Sequence, residues 1–427
     1  MNKQKIQILI NKCKDYLFLD NFEPLKYSIF FIFFFVFMLI LFEMVLHYYK
    51  FIPNSIYQPD KYVHYKLVPN SEKKLKLLDK KSAPNSIKIN ANGFRGKNTL
   101  ANGKKNILVY GDSFIFAEFS KEENTFCEQF EKKIEKNIKN IAVQNMGIVG
   151  YGPDQSYQKL IRESKKYKPE LILFSIYAGN DYGDLIRNKL LYINSDKRNT
   201  IFYNDRLKPE LINDLNNAAF PSLPHNLQIV KHFKNRFPTV FTSIYNDIPL
   251  SLTDSNYVNW CIMKSNDDYQ SYMNSSEIYC TNIFGDYFDA DISVDVTSFS
   301  SVTKLILMNN LLCELAKYAN QESFKIIVMI IPSKINLISK YQVFYDFARF
   351  DNYDNERLSY SIEEMCKQNN LLVVNLFPQF LINDPEKLYF EEGDDHWNDD
   401  GQLLAASIVN EFLLRNNIFK LGKTKLY

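Results

Sequence analysis

Residues 106–114 read NILVYGDSF, an apolar run that ends at Gly111 and turns polar at Asp112 and Ser113. A continuous apolar run bounded by glycine predicts a strand buried on both faces. The segments C-terminal to it decide the fold class. In EENTFCEQFEKKIEKNIKN (122–140), Phe126, Phe130 and Ile134 recur at every fourth position, the spacing of one helix face. IAVQNMGI (141–148) predicts a second strand, DQSYQKLIRESKKYKP (154–169) a helix stopped by Pro169, and ELILFSIYAGND (170–181) a third strand. The alternation resumes with the helix SVTKLILMNNLLCELAKYA (301–319), the strand KIIVMIIP (325–332) and the helix NERLSYSIEEMCKQNN (355–370). The strand LLVVNL (371–376) and the helix GQLLAASIVNEFLL (401–414) close it. Strand–helix alternation of this kind implies a parallel sheet with helices on both faces.

Outside this frame lie two further stretches. Residues 50–105, rich in Lys, Asn and Ser with short strand-like pieces, read as a stalk that becomes the first edge of the domain. Residues 185–299 break the rhythm with Asn, Asp, Ser and Tyr, and read as an insertion, either a cap or a subdomain with some helix of its own. The α/β domain is thus expected in two parts, 106–184 and 300–427.

In an open parallel sheet, ligands gather beyond the carboxyl ends of the strands, near the switch in strand order. The residues there are Gly111-Asp112-Ser113 after the first strand, Asn145 to Gly152 after the second, and Gly179-Asn180-Asp181 after the third. After the fifth, beyond a short connection, comes Gly393-Asp394-Asp395-His396-Trp397-Asn398. This inventory suits acyl transfer through a serine. Ser113 opens a predicted helix, so its hydroxyl and amide lie at that helix's positive end. A serine needs a base, and of the five histidines only His396 follows a strand end. Asp394 or Asp395 would orient its imidazole. The Ser113 amide, the Gly150 amide and the Asn180 side chain would meet the oxyanion, and glycine at 150 allows close approach of the backbone.

These blocks resemble the SGNH hydrolases, also called GDSL-like esterases and lipases, over residues 106–182 and 300–416. Residue by residue, Ser113 resembles the nucleophile, Gly150 and Asn180 the oxyanion-hole donors and His396 the base. The position three before His396 is Gly393, so the family's common D-x-x-H spacing is absent. Asp394 supplies D-x-H, a spacing similar to that of some polysaccharide acetyltransferase relatives, and Asp395 adjoins the histidine. The resemblance implies a flavodoxin-like three-layer α/β/α sandwich around a five-stranded parallel sheet, with no metal and no cofactor. NANGFRG (90–96) and VGYGPDQ (149–155) are also similar to membrane-anchored bacterial members whose domain lies outside the inner membrane.

Other chemistries fit less well. The acidic residues around His396 suggest a metal site, but aligning a calcium loop's glycine on Gly401 puts His396 at the first ligand position and Ser407 at the last. There is no H-E-x-x-H for zinc and no G-x-x-x-x-G-K-[ST] for a nucleotide. A flavin protein of the same topology would leave the Ser–Asn–His set unexplained.

The N-terminal region carries a different signal. YSIFFIFFFVFMLILF (27–42) has no charge, and the apolar character resumes after Glu43. With about 20 apolar residues needed to span a bilayer, residues 27–49 read as a transmembrane helix closed by Tyr48, Tyr49 and Lys50. Lys3, Lys5, Lys12, Lys14 and Lys26 precede the span, which places residues 1–26 in the cytoplasm and the rest outside. No A-x-A-like cleavage site follows. Lys plus Arg numbers 51 and Asp plus Glu 49, a balance that argues against a nucleic-acid partner. Cys261 and Cys280 lie in a polar stretch where a disulfide would serve an exported domain, with two unpaired thiols the alternative.

The expectation is a single-span, anchored serine esterase acting on acyl esters, O-acetyl foremost, of envelope carbohydrate or lipid. An O-acyltransferase with the same acyl-enzyme, or a non-catalytic carbohydrate-binding or assembly protein on the same fold, are the alternatives. Oligomeric state is not legible.

Overall fold

A computed structural model describes residues 23–48, 56–60, 62–75, 85–96, 104–188, 191–193, 200–202, 292–293, 296–297, 299–339, 353–390 and 394–419, together with Asp289. Most of the expected insertion, Gly393 and the Cys261–Cys280 pair lie outside the described residues. The chain divides into two compact units, one of them formed by Asn54–Ala219 and Ile248–Tyr427.

The other unit contains helix α1 (Glu23–Tyr48). Its 26 residues extend about 39 Å at 1.5 Å per residue, more than the ~30 Å of a bilayer's hydrocarbon core. None of the window Tyr27–Val45 is buried, and its phenylalanines stand exposed on every side. By length and composition α1 can cross a membrane, a test that a signal sequence also meets.

The α/β unit begins with two hairpins, β1 (Tyr57–Asp60) with β2 (His64–Leu67), and β3 (Glu72–Leu75) with β4 (Asn85–Lys88). The described part of the stretch expected as a stalk is therefore folded into the domain. Ile56, Tyr57, Val63, Tyr65, Leu67, Ile87 and Ile89 form an apolar cluster with Phe116, Ile148 and Tyr151, which lie beyond the strand ends of the central sheet. Pairing is between the hairpin strands themselves; a single bridge from Arg95 to Asn145 reaches the sheet edge.

Next come β5 (Lys105–Tyr110), α2 (Ser113–Phe116), α3 (Phe126–Ile134), β6 (Ile141–Asn145), α4 (Pro153–Tyr167), β7 (Pro169–Tyr177) and α5 (Asp181–Asn188). A small antiparallel pair, β8 (Leu191–Ile193) and β9 (Thr200–Phe202), follows. The chain returns with α6 (Phe299–Glu322), β10 (Ile326–Ile331), α7 (Lys334–Leu337), α8 (Arg357–Gln368), β11 (Leu372–Asn375), α9 (Phe377–Ile382) and α10 (Asp399–Arg415).

The central sheet is wholly parallel in the order β11-β10-β7-β5-β6. Alternate residues of each strand face opposite layers. Leu108, Tyr110, Ile172, Phe174, Val328 and Ile330 pack with α4, α5, α6 and α8. Ile107, Val109, Leu171, Leu173, Ile327 and Met329 pack with α3, α9 and α10. Both faces are covered, which is why these strands are unbroken apolar runs instead of alternating ones. This is the three-layer sandwich expected, with the flavodoxin-like order. The chain leaves β5 for β6 on one side and returns to β7 on the other, so the switch point lies at the carboxyl end of β5.

One local expectation changes. The helix that Ser113 opens is a single turn, ended at Ala117 in the left-handed region (φ 57°), and the periodic helix starts only at Phe126. Four residues sum few peptide dipoles, so the turn offers individual amides in place of a long helix's positive end.

Candidate active site

Ser113 is delivered by a sharp exit from β5. Asp112 caps the one-turn helix, its side chain accepting from the Phe114 amide at 2.9 Å, and Ser113 remains partly exposed. His396 arrives on the strand-like loop before α10. There the Phe390 amide donates to the His396 carbonyl (3.1 Å), Tyr389 bridges Trp397, and Asn398 caps α10 through the amides of Asp400 and Gly401. Asn398 thus fulfils a helix-cap role two residues from a histidine whose ring faces elsewhere.

The ring of His396 joins both parts. Its Nε2 lies 2.6 Å from Ser113 Oγ, and its Nδ1 lies 2.7 Å from Asp394 Oδ1. The same carboxylate oxygen accepts from the His396 backbone amide at 2.7 Å, so residue 394 is tied to both ends of its partner. Asp395 is farther, with Oδ1 at 3.5 Å from Nδ1, and its Oδ2 accepts from Tyr177 Oη at 2.8 Å. Both ring nitrogens already face hydrogen-bond partners, so the Asp394–Asp395–His396 cluster is arranged as a relay and a cation would have to break it.

Aromatic packing fixes the imidazole plane. Phe114 stacks on His396 (centroids 4.6 Å, 29°) and on Tyr177 (4.1 Å, 30°), while Phe119 meets the imidazole edge-on at 5.6 Å. Trp397 Nε1 donates to the Phe114 carbonyl at 3.1 Å, linking the two loops directly. Lys334, buried at the end of β10, donates to the carbonyls of Phe390 and of Asp394, the latter at 3.2 Å. Arg95, from the G-F-R-G stretch, is buried and donates to the carbonyls of Phe116, Ala117 and, at 2.6 Å, Ser120. It clamps the turn that leads away from Ser113. Burial lowers its guanidinium to about 10, opposed by the charge of Glu122.

Electrostatics favour a charged imidazole. Burial alone would lower His396, but the Asp394 hydrogen bond and the charges of Asp395, Asp394 and Asp112 outweigh it and raise it to about 10. Burial pushes Asp112 up to about 6 against the pull of His396 and the Phe114 amide. Burial also raises Glu118, against the pull of the same imidazole.

The remaining expected residues flank Ser113 by topology. Gly150 follows β6 and Asn180 follows β7, the two strands that pair with β5. Gly150 sits in the left-handed region (φ 76°) within a turn closed by the Tyr151 amide on the Ile148 carbonyl. Asn180 is partly exposed, and its carbonyl accepts from the Asp184 amide at 3.0 Å. Before it, Gly179 lies flat against the Tyr177 ring, where a Cβ would come within 2.4 Å of Cζ. The expectation did not include Tyr177, Phe114, Trp397, Lys334 or Arg95. The available signal was position in or beside a quoted stretch: Phe114 follows Ser113, Trp397 follows His396, Tyr177 ends the third strand and Arg95 lies in NANGFRG.

No protein-family model matches the chain, and no curated protein matches it significantly. Solved structures similar to it include the lipase/acylhydrolase from Enterococcus faecalis, at 10% identity and TM-score 0.35, covering 73% of this chain and 96% of that one. The acetyl xylan esterase AlAXEase has 12% identity and TM-score 0.34 over 72% of this chain and 99% of its own. The psychrotrophic esterase EstA from Pseudoalteromonas sp. has 12% identity and TM-score 0.34 over 74% and 99%. Scores this low carry no functional weight, and the site's own atoms decide what it can do.

Proposed function

We propose that this chain is a serine esterase of the SGNH type. The carrying observation is the unbroken line from Ser113 Oγ through His396 to Asp394, with contacts of 2.6 and 2.7 Å. In this reading Ser113 Oγ attacks the ester carbonyl as its proton passes to His396 Nε2. The Ser113 and Gly150 amides and the Asn180 side chain hold the oxyanion. Collapse expels the alcohol, which takes the proton from the imidazolium and leaves an acyl-serine. Water then attacks with His396 again as base, and the carboxylic acid departs. Asp394 orients the ring and stabilises its charged form.

The apolar span in α1 and the lysines before it support an anchored protein with its α/β domain outside the inner membrane. A substrate fixed in the envelope, an acylated carbohydrate or lipid, suits such an anchor. Transfer of the acyl group to a sugar hydroxyl uses the same acyl-serine. The Asp-x-His spacing, similar to that of some polysaccharide acetyltransferase relatives, supports that second reading, and Asp394 is the acid in contact with Nδ1. The full chain in detergent should react with a fluorophosphonate probe at Ser113, and Ser113→Ala should abolish labelling. A wild type that does not label refutes the esterase reading. Acetate released into water, against acetate on an added oligosaccharide, separates hydrolysis from transfer. A reporter active only outside the cytoplasm, fused after Tyr427, tests the orientation.

A further inference from the structure

The exit of the expected insertion returns to the core at Asp289, Ile292 and Ser293, all fully buried. Asp289 touches the Asn180 turn from both sides. Its amide donates to the Gly179 carbonyl at 2.8 Å, and its Oδ2 accepts from the Gly183 amide at 3.0 Å. Its other carboxylate oxygen lies 2.8 Å from Lys304 Nζ on α6, and neither side chain of this pair is more than 1% exposed. Arg357 donates to the carbonyls of Ile292 and Ser293, at 3.2 and 2.9 Å, and so holds the same segment from α8.

The Gly183 contact has a specific meaning. Asn180 immediately precedes α5, and its carbonyl accepts the Asp184 amide, as a helix cap's does. The side chain at such a position ordinarily accepts from the second or third amide of the helix. Gly183 supplies that third amide, and Asp289 takes it. The third amide of α5 is thereby taken by a residue over a hundred positions downstream. A carboxylate buried this deeply needs a counter-charge, and Lys304 provides it.

We propose that Asp289 is a positioning residue for the oxyanion hole: by holding the Gly179 carbonyl on one side and the Gly183 amide on the other, it sets where the Asn180 amide stands beside Ser113. This role rests on the esterase reading above. It also makes the last buried residues of the insertion part of the turnover machinery, in a segment outside the resemblance to SGNH hydrolases.

The test is a double-mutant cycle in the full chain, with p-nitrophenyl acetate as substrate. Asn180→Ala should lower kcat by about 100-fold, the scale of one lost oxyanion donor. Asp289→Ala should lower it by about 10-fold or more with KM within about twofold, and combining the two should cost no more than Asn180→Ala alone. Asp289→Asn keeps an acceptor and the side-chain shape, and serves if the alanine variant does not fold; its smaller loss should also vanish in the Asn180→Ala background. Losses that multiply, or wild-type kcat in both Asp289 variants, would overturn the role. If the wild type labels at Ser113 while the losses multiply, Asp289 alone is misassigned. If the wild type neither labels nor turns over, the esterase reading falls and this role falls with it.

Discussion

Two carboxylates face one imidazole, and replacing each in turn separates what they do. In the proposed mechanism His396 must be neutral to take the Ser113 proton, yet it is raised to about 10, with burial opposed by Asp394, Asp395 and Asp112. A base of that pKa is neutral in about one molecule in a thousand at pH 7, so kcat/KM should still climb with pH, about tenfold per unit, toward an alkaline plateau. Asp395→Asn removes a unit charge 3.5 Å from Nδ1 while keeping an oxygen for Tyr177 to donate to. Even at the dielectric of water that charge is worth about 1 kcal/mol, close to one pKa unit. The rising limb should therefore move at least about one unit toward acid, and activity at pH 7 should rise several-fold while the plateau changes little. Asp394→Asn removes the carboxylate that fixes the ring tautomer at 2.7 Å, so its plateau should fall about 10³- to 10⁴-fold. The assay is kcat/KM from pH 6 to about 10.5 on a naphthyl acetate, corrected for spontaneous hydrolysis at each pH. A wild-type limb centred near the ordinary histidine value would refute the electrostatic argument. Equal plateau losses for the two variants would refute the assignment of Asp394.

The same imidazole links stability to pH. Its folded value lies above the unfolded one, so its stabilising contribution is full below about 6.5 and is lost as pH rises toward about 10. The melting temperature should fall across that window in the wild type and fall less in His396→Gln. Arg95→Lys should destabilise by about 2–3 kcal/mol, since a point charge cannot serve the three carbonyls that the guanidinium fork reaches; unchanged denaturant midpoints would refute this. Gly150→Ala should cost about 1–2 kcal/mol from its left-handed backbone and slow turnover further, measured by melting and kcat together. Trp397→Phe leaves the Phe114 carbonyl without its indole donor and should lower both the melting temperature and the rate of fluorophosphonate labelling.

The strands and their carboxyl ends are legible because they are written locally. NILVYG and ELILFSIY are unbroken apolar runs, and a sheet covered on both faces requires such runs. Where a signal depends on distant partners it is weaker or absent. Ser113 reads as the opening of a helix, since nothing local distinguishes a four-residue turn from a helix that continues. The break at Ala117 is held by Arg95, from a separate stretch of chain. Likewise, residues 50–105 read as a stalk because their apolar positions are few and scattered, and Ile56, Tyr57, Val63, Tyr65, Leu67, Ile87 and Ile89 become core only against Phe116, Ile148 and Tyr151.

The choice between Asp394 and Asp395 shows the limit most clearly. Adjacent residues have the same chemistry and almost the same reach to His396, so spacing leaves both open. What separates them is Tyr177, which is 218 positions away from Asp395 and turns that carboxylate toward its own hydroxyl. Tyr177 is in turn held by Phe114 stacked on its face and by Gly179 against its ring. Tyr177 and Phe114 stand beside recognisable blocks, and Gly179 opens one of them. The blocks name the groups proposed to react, and residues converging on them only in three dimensions decide which carboxylate contacts the histidine.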